Sequence, residues 1–258
     1  MKKFDEEFNK FKEKLEKSEN FAFSRFSDGE IFIMQNKRVT LSSNFYITGD
    51  KAGKNIYGPE ERKEFIPGQH EIYRTKLLEC FNHEQEGYYK GIPSQQDIHV
   101  DFKIDKSKKD LTFANLFINA NYKRFVKEIV ESVFPKKNIV YVVNKRAELS
   151  GLPFSVKKDF RIGSNCMIND YHLIKELPKW IEENGIENHV FLFSAASLSN
   201  FLIYECFKKF PENVYLDIGS SLNPYLGEDM KSCLYTRDYL RSYWLGEKTF
   251  YGEQIDEW

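Results

Sequence analysis

The sequence lacks the features that would place it in several large classes at once. No stretch approaches the roughly 18 consecutive apolar residues of a membrane span. The opening residues, Met1-Lys2-Lys3-Phe4-Asp5-Glu6-Glu7, contain no apolar signal core, so the expected compartment is the cytoplasm. Charge of one sign is also missing: the formal net charge is −1, which gives no electrostatic case for nucleic acid or an anionic membrane surface. Cysteine is sparse, and Cys80, Cys166, Cys206 and Cys233 form no Cys-x-x-Cys knuckle and no secreted disulfide framework. The five histidines are equally scattered, which argues against a structural zinc site. There is no internal repeat, no low-complexity linker and no glycine-rich phosphate fingerprint.

What is present suits a globular α/β chain. Hydrophobic residues make up 41% of the 258, enough for a real core. The 23 Phe and 15 Tyr fit either a Phe-rich core or a cleft whose rings stack on sugars or bases. Phe4, Phe8, Phe11 and Leu15 recur at helical spacing, so residues 1–19 read as an amphipathic opening helix. Phe21-Ala22-Phe23-Ser24-Arg25-Phe26 reads as a strand, and Ile31-Phe32-Ile33-Met34 as the first turn of a helix. Residues 41–67 read as loops with a short helix, residues 71–80 as a helix, and residues 101–110 as a mobile charged surface loop. A helix over 122–134 should end at Pro135.

The second half is more regular. Ile139-Val140-Tyr141-Val142-Val143 is a continuous apolar run, as expected of a strand buried on both faces. Further strands are expected at 190–193 and 214–219, with helices at 171–184 and 198–210 between and around them. Alternating strands and helices predict a Rossmann-like α/β fold with a mostly parallel sheet and helices on both faces, in a single domain over 1–258. An aromatic-rich tail over 237–258, with Tyr239, Tyr243, Trp244, Tyr251 and Trp258, reads as an acceptor-binding or a packing element.

Four stretches can carry chemistry. In Arg25-Phe26-Ser27-Asp28-Gly29-Glu30 two carboxylates flank a glycine at a strand end. If Gly29 turns the backbone tightly, Asp28 and Glu30 converge as hard oxygen ligands for Mn²⁺ or Mg²⁺, with Arg25 holding a phosphate. The plain alternative is a polar turn with Asp28 capping a helix. Ser194-Ala195-Ala196-Ser197 follows a buried strand and opens a helix, where Ser194 and Ser197 can line a phosphate crevice or merely cap the helix. Asp217-Ile218-Gly219-Ser220-Ser221 places an acid at another strand end, as a general base, a ribose ligand or a turn cap. Gly163-Ser164-Asn165-Cys166 brings Asn165 toward the same edge, and Asp170 either joins it or begins a helix; Asn115, Asn119 and Asn121 bond sugar hydroxyls or pin turns.

In this order, over roughly residues 20–227, the motifs resemble those of the GT-D glycosyltransferases, first catalogued as a domain of unknown function. Arg25 to Glu30 is similar to that family's Arg-Phe-Gly-Asp-Gly-Glu signature, with Ser27 in place of its glycine. The Asn-Cys stretch, the Ser-Ala turn and the Asp-Ile-Gly-Ser turn follow in sequence. The resemblance implies a Rossmann-like transferase that uses a nucleotide-sugar, typically UDP-linked, with Mn²⁺ or Mg²⁺. It assigns the metal and donor diphosphate to Asp28 and Glu30. A hexose would pass to a hydroxyl of a glycan acceptor. Two other classes fit the residues less closely: a methyltransferase, whose Asp-x-Gly-x-Gly loop the 217–221 stretch matches except at Ser221, and a non-catalytic glycan- or partner-binding module.

Overall fold

The computed structural model describes residues 2–42, 44–54, 62–94, 104–105 and 107–255. Seven strands form one wholly parallel sheet. They are β1 (Ala22–Arg25), β6 (Tyr88–Ile92), β7 (Leu111–Phe113), β8 (Ile139–Asn144), β9 (Val156–Ile162), β10 (Val190–Phe193) and β11 (Val214–Asp217), in the spatial order β7-β6-β1-β11-β10-β8-β9. This is the α/β, Rossmann-like arrangement expected from the sequence. A second sheet is antiparallel, with β2 (Val39–Leu41), β3 (Phe45–Thr48), β4 (Lys51–Lys54) and β5 (Lys63–Phe65) in the order β4-β3-β2-β5.

The apolar runs of the central strands follow from burial on both faces. Along β8, Ile139, Tyr141 and Val143 pack into one core while Val140 and Val142 pack into the other. Val190 and Leu192 oppose Phe191 and Phe193 in the same way on β10. One core is covered by α1 (Phe4–Glu16), whose Phe8, Phe11 and Leu15 are buried, and by the segment around Phe125. The other is covered by α2 (Asp28–Met34), α3 (Glu71–Asn82), α5 (Cys166–Asn169), α6 (Leu173–Asn184) and α7 (Ser197–Lys209). Gly185 ends α6 at φ 58, the left-handed cap a glycine adopts without a Cβ clash.

Three expectations change. Residues 41–67 are not loops with a short helix: their described part forms most of the antiparallel sheet, inserted between α2 and α3, while 55–61 lie outside the described residues. These strands are three or four residues long and half-exposed, so no apolar periodicity marks them. The helix that was to run from 122 to Pro135 begins as α4 (Tyr122–Arg124), widens into a π-helical stretch (Phe125–Val130), and Pro135 lies within a separate 3₁₀ turn, Phe134–Lys136. Of the charged loop, 101–103 and 106 lie outside the described residues. Its end is anchored, since Asp110 pairs with buried Lys90 at 2.6 Å, and Lys90 also donates to the carbonyls of Phe81 and His83 at the end of α3.

In its described part the tail packs against the fold and sends Arg237 and Tyr239 to the strand-end cavity described below. Within α8 (Asp238–Leu240) Tyr239 is buried, and Trp244 donates to Tyr122 Oη at 3.0 Å. Tyr122 in turn donates to the Ser221 carbonyl at 2.7 Å, so the tail braces the loop after β11. A short helix α9 (Phe250–Glu253) follows, and Trp258 lies outside the described residues. Among the described residues no helix is long and apolar enough to cross a membrane.

Candidate active site

The carboxyl ends of β1, β8, β9, β10 and β11 open onto a cavity of about 380 Å³ with many charged side chains in its lining. This is the crevice where open α/β sheets place their ligands. Arg25, Asp28, Gly29, Glu30, Asn165, Ser194 and Asp217, all singled out in the sequence, line it and so meet at one place. Ser197 lines an adjoining cavity and reaches the site through Glu30.

Arg25 is fixed from three sides. Its Nε donates to the Ala114 carbonyl at 2.8 Å, just beyond β7. Its strand end is held by Asn200 of α7, which donates to Ser24 Oγ at 2.9 Å and to the Arg25 carbonyl at 2.7 Å. Its guanidinium lies on the backbone of Gly219, where a Cβ would stand 2.2 Å from Nη1. Gly219 also has φ +52, so both its conformation and the approach of Arg25 exclude a side chain.

The Asp-Gly-Glu stretch is not a tight turn. Gly29 lies inside the first turn of α2, with no positive φ, and its missing side chain would meet nothing within 4 Å. Its role is therefore an open backbone face on the cavity wall. Two positions apart on a helix, Asp28 and Glu30 do not share a face by geometry alone. Glu30 completes a capping box: Oε2 accepts from the Ser27 backbone N–H at 3.1 Å, and Oε1 accepts from Ser197 Oγ at 2.7 Å. Asp28 is exposed, and its Oδ1 accepts the Gly29 N–H at 2.9 Å.

Asp217 is the most perturbed acid of the site. Its carboxyl is pushed up to about 7, first by burial and then by the negative charge of Glu30; Arg25 and the N–H of Gly219, 3.0 Å from Oδ1, act in the opposite sense. Raised pKa values of this kind gather where carboxylates work as acids or bases.

Ser194 pairs with Tyr141 Oη at 2.9 Å. Between it and α7, Ala196 has φ 46 and ψ −139. A non-glycine residue there costs about 1–3 kcal/mol, strain typical of ligand clamps and switch loops. Asn165, with φ 53, lines the cavity while its Oδ1 accepts the Glu64 N–H at 3.0 Å and its own N–H bonds the Arg62 carbonyl. It thus ties β5 to the rim of the main sheet. Cys166 donates to the Ala195 carbonyl, and burial pushes its thiol up to about 12, so it is no nucleophile. Asp170 stays outside the lining and accepts the Gly163 N–H at 2.9 Å. Asn115 lines the cavity, whereas Asn121 pins a turn through the Leu116 carbonyl.

Four further cations, not foreseen from the sequence, join Arg25 in the lining: Arg62, Lys63, Arg146 and Arg237. Lys63 comes from β5 of the unforeseen antiparallel sheet, Arg62 from the residue before it, and Arg237 from the start of the tail. Among the described residues, no group of three or more His, Cys, Asp or Glu is arranged to hold a metal by itself. The carboxylates of Asp28 and Glu30 keep lone pairs beyond the bonds above. Each is the donor type of a hard cation that takes one or two protein carboxylates and fills its other positions with phosphate oxygens and water.

Fold and site together define a Rossmann-like α/β protein with a cavity at the strand ends lined by both cationic and acidic side chains. Its fold is that of the DUF1792 domains. It is similar to a selenomethionine-substituted domain of unknown function 1792, with TM-score 0.50 and 12% identity over 84% of this chain and 78% of that one. It is similar in the same way to a glycosyltransferase (DUF1792) from Streptococcus sanguinis, with TM-score 0.50 and 14% identity over 84% of this chain and 81% of that one. No family model matches the chain, and no curated protein matches it.

Proposed function

We propose that the protein is a glycosyltransferase that moves a hexose from a nucleoside-diphosphate sugar, UDP-linked by preference, to a hydroxyl of a glycan acceptor. One observation supports this reading: the Arg25 guanidinium, the carboxylates of Asp28 and Glu30 and a buried acid with raised pKa line a single cavity in a fold shared with a named glycosyltransferase. Asp28 and Glu30 would hold Mn²⁺ or Mg²⁺, which supplies charge neutralisation for the departing diphosphate. Arg25 faces the donor phosphates from a fixed position, and the bare face of Gly29 lets a phosphate approach the first turn of α2. Ser194 and the N-terminus of α7 form the adjoining wall.

The acceptor oxygen forms the new bond to the anomeric carbon as the bond from that carbon to the phosphate oxygen breaks. The electron pair leaves with the nucleoside diphosphate, and the acceptor proton passes to the Asp217 carboxylate. A base with a pKa of about 7 is matched to that transfer near neutral pH.

The test is turnover of purified protein with Mn²⁺ across a panel of nucleotide-sugars. One donor should yield its nucleoside diphosphate. Asp28→Ala and Glu30→Gln should each slow the reaction by roughly two orders of magnitude, equivalent to several kcal/mol of lost charge stabilisation. Glutamine at 30 can still accept from Ser27 and meet Ser197, so the helix cap survives. Full turnover in both variants would overturn the assignment.

A further inference from the structure

A second cavity, of about 580 Å³, lies on the other side of the Asp28-Gly29-Glu30 turn. Its walls differ in kind from those of the first. Phe32 and Ile33 of α2, Val39 and Leu41 of β2, Phe65 of β5 and Met167 of α5 line it with apolar surface. Tyr46 of β3 closes the small-sheet side, its ring lying across Gly53 so closely that a Cβ there would stand 2.9 Å away. A sugar, a diphosphate and a nucleobase all present hydrogen-bonding edges, whereas this wall offers few partners and much apolar area.

The junction between the cavities is charged. Lys63 and Arg237 line both beside the carboxylates of Asp28 and Glu30, and exposed Lys54 stands on the small-sheet side of the apolar one. Among the described residues, neither Lys54 nor Lys63 has an ion-pair partner. With Asp28 and Glu30 engaged by the metal of the transferase reading, an occupant that continues from the reaction cavity meets Lys63 and Arg237 first and hydrocarbon surface next.

Resting on the transferase reading above, we infer that the apolar cavity binds the acceptor, and that the acceptor is a glycan joined through a phosphate to an apolar chain. The chain fills the space between α2 and the antiparallel sheet. The phosphate sits at Lys63 near Arg237, and the sugar hydroxyl faces the donor across Gly29. Each CH₂ of an alkyl chain buried here adds to the affinity, so a short chain already favours this cavity over water.

The experiment uses octyl phosphate below its micelle concentration, titrated into the full chain by calorimetry, with UDP plus Mn²⁺ as a separate titration. Octyl phosphate should bind, and should bind equally in the presence of saturating UDP and Mn²⁺. Lys63→Gln, an exposed position that leaves the fold intact, should weaken octyl phosphate about tenfold, the loss of one charge-assisted contact, and leave octyl glucoside unchanged. Leu41→Gln should weaken both octyl compounds. Absence of octyl phosphate binding, or its displacement by UDP, would overturn the inference. So would equal binding of octyl glucoside and octyl phosphate. Loss of UDP binding with octyl phosphate binding retained would instead count against the donor assignment, so the two failures are distinguishable.

Discussion

Asp217 and Gly29 show how single residues here trade stability for a site. A carboxyl that titrates near 3.8 in the unfolded chain and at about 7 in the folded one binds its proton more tightly when folded. Stability therefore falls as pH rises through that window, by an amount on the order of 4 kcal/mol once the group is ionised. Asp217→Asn removes this dependence and can keep the bond from the Gly219 N–H. In chelator, the variant should melt at a higher temperature than the parent at pH 8 and near the same temperature at pH 4, while transfer activity is lost. A lower melting point for the variant at pH 8 would show that the carboxylate is well solvated or well paired. Gly29→Ala tests the other case. A Cβ at this helical position meets nothing within 4 Å, and alanine favours a helix over glycine by about 1 kcal/mol. The variant should be slightly more stable and yet bind nucleoside diphosphate more weakly, because its methyl group enters the phosphate path. Unchanged affinity would remove Gly29 from the site.

At the scale of elements, the sequence was most informative where burial imposes a pattern. The strands β8, β10 and β11 show as apolar runs because each alternates between two cores, and α1 shows because Phe4, Phe8, Phe11 and Leu15 occupy one face. The small antiparallel sheet was illegible. Lys51-Ala52-Gly53-Lys54 and Val39-Thr40-Leu41 are held by pairing across the chain, not by their own periodicity. Strands β6 and β7 were missed for the same reason, since Leu111-Thr112-Phe113 is too short to show a period. With the small sheet went Arg62 and Lys63, whose place in the cavity depends on where β5 docks. Asn165 does that docking. Asn165→Ala loses the bond to Glu64 and places alanine in a left-handed conformation, together costing roughly 2–3 kcal/mol locally. Hydrogen exchange should accelerate at the β5 amides while those of β8 stay protected. Asn165→Gly keeps the backbone conformation and should show about half the effect; equal protection in all three proteins would mean that β5 is held by other contacts.

For the whole molecule, the order of motifs along the chain carried more than any motif alone. Arg25 to Glu30, Asn165, Ser194 to Ser197 and Asp217 are separated by up to nearly two hundred residues, and the parallel sheet brings their strand ends to one edge. The tail completes that edge, with Arg237 entering the lining and Trp244 bracing the β11 loop through Tyr122. What the sequence misjudged was the mechanism of convergence: Asp28 and Glu30 meet the cavity from the first turn of a helix, and Ser197 fixes Glu30 from across the fold. The direct test of that arrangement is calorimetric titration of UDP into the parent protein and Asp28→Ala, each with Mn²⁺ and with chelator. The account predicts that Mn²⁺ tightens UDP binding at least about tenfold in the parent, some 1.4 kcal/mol, and not at all in the variant. Equal affinity with and without the metal, or a metal-dependent gain that survives in Asp28→Ala, would contradict it.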